Sequence, residues 1–529
     1  MPPSTPADFS QRRLWVWLVA VCIGLGITFR VSNLAQPVYW VDEISTSMRV
    51  SGYTRADVRA QVATAAALSP ADLLQFQQIR RDRPATDLVR VLSLSPEHTP
   101  LYFVLARGWA ELFGSSVAAI RSLSVVFSLL SLPAMYGFVR SLFGQKSRLP
   151  EQLAVGLLAI SPFFIAYAQE ARPYSLWVLL LLLTSQWLWR SLQTNRWQSW
   201  AAYAVLLSLT FYTSLLTGLV VIGHSVAVLL LHHRRWRSYA LATGGAVLSL
   251  SPWIWVVVSN WQTLQDNTRW TQVPIPFHEI IGTWFYSFAV IFFDVPVGVR
   301  AWVLALQVAI ATTVFAAIVR ATVVLIRETP NSIWGFVLAG ALANPILLMV
   351  LDIARNGQTT APRYLIPAQL GAVVVLAFWF GRDGLRQGRA GRVARGVMGW
   401  LLLLSLVSAM ILQPSPYLKS RNLSNVEIVE LLNGADGAQV VSTPHYIQDL
   451  MSLSYELAAD TRFYVLPSEG ASSAGMLLDL LEGGRDTFLF APSAEMVERV
   501  AQRGRVRLVY EPPPLIAGGF PLTVWEVEW

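Results

Sequence analysis

Long apolar runs recur through most of this chain, and they restrict it to folds that bury such runs in a membrane. The first run is Leu14 to Leu34, and the last is residues 397 to 412. Of the 529 residues, 54% are hydrophobic and only 14% are charged, whereas a soluble domain carries about 25% charged residues. A helix that spans a bilayer needs roughly 20 apolar residues. The sequence therefore excludes a soluble protein and predicts a polytopic α-helical membrane protein with about 11 transmembrane helices.

The predicted spans are 14–34, 117–139, 151–168, 175–189, two within 199–231, 239–259, 301–326, 333–351, 364–380 and 397–412. The run Leu101 to Phe113 is shorter and carries Arg107 and Glu111, which favours an interfacial amphipathic helix. The run from Ile280 to Val299 is compatible with either a crossing or an interfacial segment.

Basic residues determine the predicted orientation. The chain has a formal net charge of +8, and cytoplasmic loops of membrane proteins carry an excess of Lys and Arg. Arg12 and Arg13 precede the first span, and an arginine-rich segment occupies residues 382 to 395. We therefore expect a multi-pass protein of the plasma (inner) membrane with a cytoplasmic N-terminus, and the positive charge gives no reason to expect a nucleic-acid partner.

The composition changes after Pro414. Helix-like stretches (Val426 to Leu432, Ala474 to Leu481, Ala494 to Gln502) alternate with β-branched or aromatic runs (Gln439 to Ser442, Phe463 to Leu466, Thr487 to Phe490, Val506 to Tyr510, Leu522 to Val527). Such alternation predicts a small α/β domain. The expected domains are therefore a transmembrane domain, 1–413, whose first external loop with interfacial helices is 35–116, and an extracytoplasmic α/β domain, 414–529.

The acidic pair Asp42-Glu43 follows the first predicted span. A carboxylate at the rim of a helical bundle can take a proton from an acceptor hydroxyl as a general base or hold a divalent cation. A solvated acidic pair at a helix end is the alternative interpretation. The only cysteine, Cys22, lies within the first apolar run, so a disulfide or a cysteine-based metal site is excluded.

Three further polar motifs follow along the chain. His98 precedes the amphipathic run, where it is a candidate metal ligand or hydrogen-bond donor. Glu170, Arg172 and Tyr174 lie in a turn between two predicted spans. Arg363 opens a late apolar run, and an arginine there can bind phosphate oxygens through its forked guanidinium or simply extend from a helix end to water.

The predicted topology places all four motifs on the outer membrane face. A transporter would more naturally carry ionisable groups near the middle of the membrane. A site at the rim suits a reaction between a lipid-borne phosphate compound and an acceptor outside the cytoplasm.

In these motifs the chain resembles the GT-C superfamily of membrane glycosyltransferases, and more narrowly the protein O-mannosyltransferase-like group (glycosyltransferase family 39), which includes the lipid A aminoarabinose transferases. The matching order is an Asp-Glu pair after the first span, a His-x-Pro-Leu-Tyr helix start, a Ser-Pro…Gln-Glu-Ala-Arg-Pro-Tyr turn and a late Arg-Tyr-Leu-Ile-Pro. The first three motifs cover residues 38 to 174, and the last is less specific. Two departures are that Thr99 replaces the more usual proline, and that the Glu-Lys of aminoarabinose transferases is absent beside His98, which argues against that substrate.

The resemblance implies transfer of a hexose or pentose, with inversion, from a polyprenyl-phosphate donor to a lipid, glycan or protein acceptor on the extracytoplasmic face. It implies the following roles: Asp42 as general base with Glu43 beside it; Arg363 and Arg172 on the donor phosphate; His98, Glu170, Tyr174 and Tyr364 lining the substrate or metal site. A divalent metal ion is the only cofactor considered, with Glu43, His98, His278 and Glu279 as candidate ligands. A transporter or flippase for lipid-linked sugars, and a non-catalytic binding protein, are the alternative functions.

Overall fold

The computed structural model describes residues 6–63, 67–144, 148–295, 301–415, 422–466, 485–512 and 522–528. They form two compact units. The first, called the helical unit, is Met1–Leu34, Ser95–Tyr102 and Arg121–Pro414. The second, called the mixed unit, is Ala35–Leu94, Phe103–Ile120 and Ser415–Trp529. Most of the predicted first external loop and the C-terminal segment, which are far apart in the sequence, thus share one unit, while residues 95–102 of that loop belong to the helical unit.

Among the described residues, the helical unit contains fifteen α-helices, wholly or for most of their length. They are α1 (Pro6–Val31), α7 (Val117–Phe143), α8 (Leu149–Ile160), α9 (Pro162–Ala168), α10 (Tyr174–Thr194), α11 (Trp197–Phe211), α12 (Thr217–Leu231), α13 (Trp236–Ser249), α14 (Ser251–Ser259), α15 (Trp261–Thr268), α16 (Phe277–Ala289), α17 (Ala301–Glu328), α18 (Asn331–Arg355), α19 (Ile366–Asp383) and α20 (Arg389–Leu412).

Five of the described helices, α1, α7, α17, α18 and α20, are long and apolar enough to cross a membrane, and the count rises to seven if each of two bent pairs is one span. The prediction of a polytopic helical protein is confirmed, whereas the number of eleven spans is not. The expected span 239–259 is divided at Leu250 into α13 and α14. In the run Ile280 to Val299, residues 280–289 form the end of α16, and residues 296–299 lie outside the described residues. The alternative of a crossing or an interfacial segment stays open.

The predicted span 151–168 is bent by 60° between α8 and α9. Pro162 lacks the N–H group that would bind the Leu158 carbonyl in a continuous helix. The buried Arg30 replaces this donor: Nη2 donates to the Leu158 carbonyl at 3.0 Å, Nη1 donates to the Ala159 carbonyl, and Nε donates to Ser128 Oγ at 2.9 Å. Because unpaired carbonyls are costly in an apolar interior, this arginine allows the helix to break there.

Helices α1 and α8 approach each other closely at Gly26. A Cβ atom at position 26 would overlap the Ala159 carbonyl oxygen. Gly223 in α12 has the same relation to Ala339 in α18. Small residues of this kind let helix backbones pack tightly in membranes.

We expect Gly26→Ala to lower stability by about 1–3 kcal/mol, since the added methyl group must push α1 away from α8. Thermal unfolding of the detergent-solubilised protein measures the change. Gly24→Ala is the matched control, because a Cβ at position 24 meets nothing within 4 Å. Equal melting temperatures for the two variants would contradict the packing account.

The mixed unit combines a five-stranded sheet with short helices. The strands are β1 (Gln439–Ser442), β2 (Arg462–Val465), β3 (Thr487–Phe490), β4 (Arg505–Tyr510) and β5 (Val524–Glu528), in the order β2-β1-β3-β5-β4. Strand β1 is parallel to β2 and β3, while β5 is antiparallel to β3 and β4. The helices are α2 (Val41–Val50), α3 (Arg55–Val62), α4 (Pro70–Leu74), α5 (Ala85–Ser93), α6 (Leu101–Phe113), α21 (Leu423–Asn433), α22 (Ile447–Leu453) and α23 (Ala494–Ala501).

All five predicted strands are present, within two residues at each end. The helix predicted over Val426 to Leu432 lies within α21, and the amphipathic run Leu101 to Phe113 is α6. The helix predicted over Ala474 to Leu481 lies outside the described residues. Helix α22 was not predicted, because it follows strand β1 after only a short proline-containing turn.

Contacts between the two distant segments hold the mixed unit together. The backbone of Leu68 pairs with Phe463 at the edge of β2, and Ser452 Oγ donates to the Tyr39 carbonyl at 2.6 Å. The Tyr455 hydroxyl donates to Gln77 Oε1 at 3.0 Å. The C-terminal segment is therefore packed against the first loop, in addition to a hydrophobic core made of its own residues, such as Val441, Leu489 and Val527.

Helix α3 begins with a capping box. The Thr54 N–H donates to Asp57 Oδ2 at 2.8 Å, and the Asp57 N–H donates to Thr54 Oγ1 at 3.0 Å. Arg90 Nη2 donates to the same carboxylate at 3.1 Å. Partial burial acts to raise the pKa of Asp57, but the hydrogen bonds from Thr54 and Arg90 outweigh it and lower that pKa.

The pKa of Asp57 is lower in the folded than in the unfolded state, so the ionised carboxylate stabilises the fold. This stabilisation is complete at a pH above the unfolded-state pKa and is lost as the pH falls through the folded-state pKa. The protection of residues 55–62 against hydrogen exchange, relative to the intrinsic exchange rate at each pH, should therefore fall on acidification below about pH 4. Asp57→Ala should lower this protection already at neutral pH, by an amount equivalent to about 1 kcal/mol of local stability. Asp82→Ala, which removes an exposed acid paired with Arg80, should leave this helix unchanged; equal protection in both variants would refute the capping role.

Candidate functional site

The acidic pair lies in the first turn of α2, within the mixed unit. Trp40 enters the helix in an extended conformation without a side-chain cap, and carboxylates are favoured at this end of the helix dipole. Glu43 is completely buried, and Asp42 is partly buried. The alternative of a solvated pair is therefore wrong for Glu43.

Helix α2 is held at its middle and at its C-terminal end by residues from other segments. Gln448 of α22 donates a hydrogen bond to Ser45. Arg107 Nη1 donates to the Val50 carbonyl at 3.0 Å, Nη2 to the Arg83 carbonyl at 2.9 Å, and Nε to Glu111 at 2.6 Å. In the sequence, Arg107 served only as evidence against a membrane span. In the structure it is buried and binds the C-terminal end of the helix that carries the acidic pair.

The turn that contains Glu170 and Arg172 belongs to the helical unit and is buried, with both side chains less than a tenth exposed. Gln169 Nε2 donates to the carbonyls of Phe29 (2.8 Å) and Ser32 (2.7 Å) at the end of α1. The Arg172 carbonyl accepts from Ser124 Oγ at 3.3 Å. The turn is thus fixed by hydrogen bonds to α1 and α7.

Aromatic rings surround this turn. The Arg172 guanidinium lies 5.9 Å from the centre of the Tyr174 ring. The Tyr174 ring contacts that of Tyr167 edge to face, with 5.0 Å between the ring centres. The Arg172 guanidinium therefore lies close to the Tyr174 ring, whose π-electrons can interact favourably with the cation.

His98 also belongs to the helical unit and lies just before the start of α6. Its Nε2 is 3.5 Å from a carboxylate oxygen of Glu97. Asn267 Nδ2 donates to both Glu97 oxygens, at 3.1 and 3.2 Å. Glu97 thus connects His98 to α15, a contact that sequence spacing does not indicate.

Arg363 lies in a one-turn 3-10 helix, Pro362–Tyr364, just before helix α19. Its guanidinium lies 5.1 Å from the centre of the Tyr364 ring and 5.7 Å from that of Trp270. The side chain is half-buried. Trp270 is an additional candidate site residue that no motif in the sequence indicated.

His278 and Glu279 lie in the first turn of α16, and His278 is exposed. Among the described residues, no group of three or more His, Cys, Asp or Glu side chains is arranged to hold a metal ion. The metal site with Glu43, His98, His278 and Glu279 as candidate ligands stays a prediction.

The sequence model of the family dolichyl-phosphate-mannose-protein mannosyltransferase matches residues 97–258. This segment includes His98, Glu170 and Arg172, but not Asp42 or Arg363. No curated protein matches the chain at a significant level.

Two crystal structures share the fold over nearly the whole chain. ArnT from Cupriavidus metallidurans in the apo state is 14% identical, with a TM-score of 0.52 over 97% of this chain and 98% of that one. ArnT from Cupriavidus metallidurans bound to undecaprenyl phosphate is 16% identical, with a TM-score of 0.51 over 97% of each chain. The resemblance drawn from the motifs is confirmed, and the chain is an integral membrane protein that shares the fold of these two structures.

Proposed function

We propose that this protein is an inverting glycosyltransferase that moves a sugar from a polyprenyl phosphate to an acceptor on the extracytoplasmic face of the membrane. The observation that carries the proposal is the similarity in fold, over 97% of each chain, to an ArnT structure bound to undecaprenyl phosphate. The family match over residues 97–258 also supports a transferase rather than a transporter.

In this proposal Arg363 binds the donor phosphate. The phosphate leaves with a growing negative charge, and a fixed cation stabilises that charge most when it is already oriented before the reaction. Two aromatic rings beside the guanidinium and its half-buried position support this role, since both restrict its conformations and its contact with water. Arg172, held beside Tyr174, is proposed as a second phosphate ligand.

Asp42 is proposed as the general base. The acceptor oxygen attacks the anomeric carbon from the face opposite the phosphate, the bond from that carbon to the phosphate oxygen breaks with inversion, and Asp42 takes the acceptor proton. The position of Asp42 in the first turn of α2 supports the role, because the helix dipole favours the ionised carboxylate. Glu43 beside it, with Glu170, His98 and Tyr364, is proposed to line the site.

A divalent cation, if used, would neutralise charge on the donor phosphate. Carboxylate and imidazole side chains suit such an ion, so Glu43 and His98 are proposed as ligands, with His278 and Glu279 as further candidates. Assays with and without a chelator test this part of the proposal separately from the transfer itself.

The decisive experiment is a donor screen of the purified full-length protein with polyprenyl-phosphate hexoses and pentoses. Mass spectrometry should detect release of the lipid phosphate and addition of the sugar to an acceptor glycan, lipid or peptide. Uptake of an intact lipid-linked sugar into vesicles, without bond cleavage, would instead establish a flippase.

We expect Asp42→Asn to lower transfer about 10²–10⁴-fold, because the amide cannot accept the proton. Donor binding should be retained. Asp87→Asn is the matched control, since Asp87 is also an acid in the first turn of a helix of the mixed unit. Normal turnover in Asp42→Asn would remove Asp42 from the role of base.

Arg363→Gln should weaken binding of undecaprenyl phosphate at least tenfold, since the charged, forked donor is lost. Native mass spectrometry of the protein in nanodiscs measures this affinity. Arg355→Gln removes an exposed arginine at the end of α18 and should bind the lipid normally. If both variants bind like the wild type, the proposed phosphate role is wrong.

A further inference from the structure

Asp352 is a completely buried carboxylate in the last turn of α18. Both of its oxygens accept hydrogen bonds from the segment that follows. Oδ1 accepts from the Thr359 N–H and hydroxyl, and Oδ2 accepts from the Thr360 hydroxyl and from its N–H at 3.2 Å. The Trp284 Nε1–H group lies 3.5 Å from Oδ2 and donates to Thr360 Oγ1 at 2.8 Å. One buried charge is therefore satisfied by consecutive donors of a single short segment.

That segment, residues 356–365, contains Arg363. It is also tied to its neighbours by backbone groups: the Gln358 N–H donates to the Thr271 carbonyl at 2.9 Å. Gln369 Nε2 donates to the Pro362 carbonyl at 3.2 Å and to the Ser287 carbonyl at 2.8 Å. The segment between Asp352 and α19 is thus fixed at three points.

The same hydrogen bonds also determine which groups lie near the Arg363 guanidinium. Thr271, which accepts from Gln358, follows Trp270, whose ring lies beside Arg363. Fixing 356–365 against residues 270–271 therefore also fixes the distance between the Arg363 guanidinium and the Trp270 ring. Asp352 provides the strongest of these ties, because hydrogen bonds to an ionised group are roughly twice as strong as neutral ones.

We propose that Asp352 is a positioning residue for Arg363: it holds residues 356–365 so that the guanidinium is oriented for the phosphate of the donor lipid. The inference rests on the proposed role of Arg363 in phosphate binding. Asp352 does not touch the substrate, and its effect passes entirely through the segment it binds.

Asp352→Asn keeps the shape of the side chain but removes the charge and replaces one acceptor oxygen with an N–H donor, which then faces the donors of Thr359 or Thr360. We expect a loss of about tenfold or more in affinity for undecaprenyl phosphate, measured on the full-length protein in nanodiscs. Asp352→Glu, which restores the charge, should recover part of the affinity.

A double-mutant cycle separates positioning from a general loss of stability. If Asp352 acts through Arg363, the double variant Asp352→Asn with Arg363→Gln should bind no more weakly than Arg363→Gln alone. Independent, additive losses, or wild-type affinity in Asp352→Asn, would overturn the inference. Wild-type affinity in Arg363→Gln would instead overturn the phosphate role on which it rests.

Asp383→Asn is the matched control, because Asp383 is another buried carboxylate of the helical unit but pairs with Arg382 and Arg386. It should lower the melting temperature without changing lipid affinity. If Asp352→Asn does not fold, Thr360→Val removes one hydroxyl donor while leaving the charge. That variant should show a smaller loss of affinity that again disappears in the Arg363→Gln background, and an unchanged affinity would overturn the inference.

Discussion

The satisfaction of backbone polar groups at broken helix ends is the constraint on which the helical unit depends. An apolar surrounding offers no water to unpaired carbonyls and amides, so each break needs an internal partner. Arg30 provides donors for the carbonyls at the end of α8, and Gln169 does so for those at the end of α1. Asp352 provides acceptors for the amides that follow α18. Buried polar side chains therefore determine where the bundle can interrupt its helices.

These interruptions coincide with the candidate site residues. Glu170 and Arg172 follow the bent pair α8 and α9, and Arg363 lies within the segment bound by Asp352. A turn fixed by side-chain hydrogen bonds holds a charged residue in a narrower range of orientations than a solvated loop does, and an oriented charge is what electrostatic stabilisation of a leaving phosphate requires. The same interactions that stabilise the fold thus orient the groups proposed to act on the donor.

Much of the secondary structure follows from local pattern. The strands of the mixed unit and helix α6 were predicted because alternation and amphipathic periodicity are properties of a few neighbouring residues. The breaks after Ile160 and Leu250, and the short helices α2 to α5, were not predicted. A break depends on whether a distant residue such as Arg30 can satisfy the freed carbonyl. The roles of Asp42, Glu43 and Arg363 rest on the resemblance and stay predictions.

The sequence by itself determined that the chain is a polytopic helical membrane protein, that its last part alternates strands and helices, and which motifs carry charge beside apolar runs. These properties depend on composition and on short-range periodicity. Only the tertiary structure decided that residues 35–94 and 415–529 share one compact unit and that Trp270 lies beside Arg363. It also decided that Asp352 binds the segment that contains Arg363. Those are contacts between residues far apart in the chain or across a turn, and hydrophobic pattern specifies which face of an element is buried but not which partner covers it.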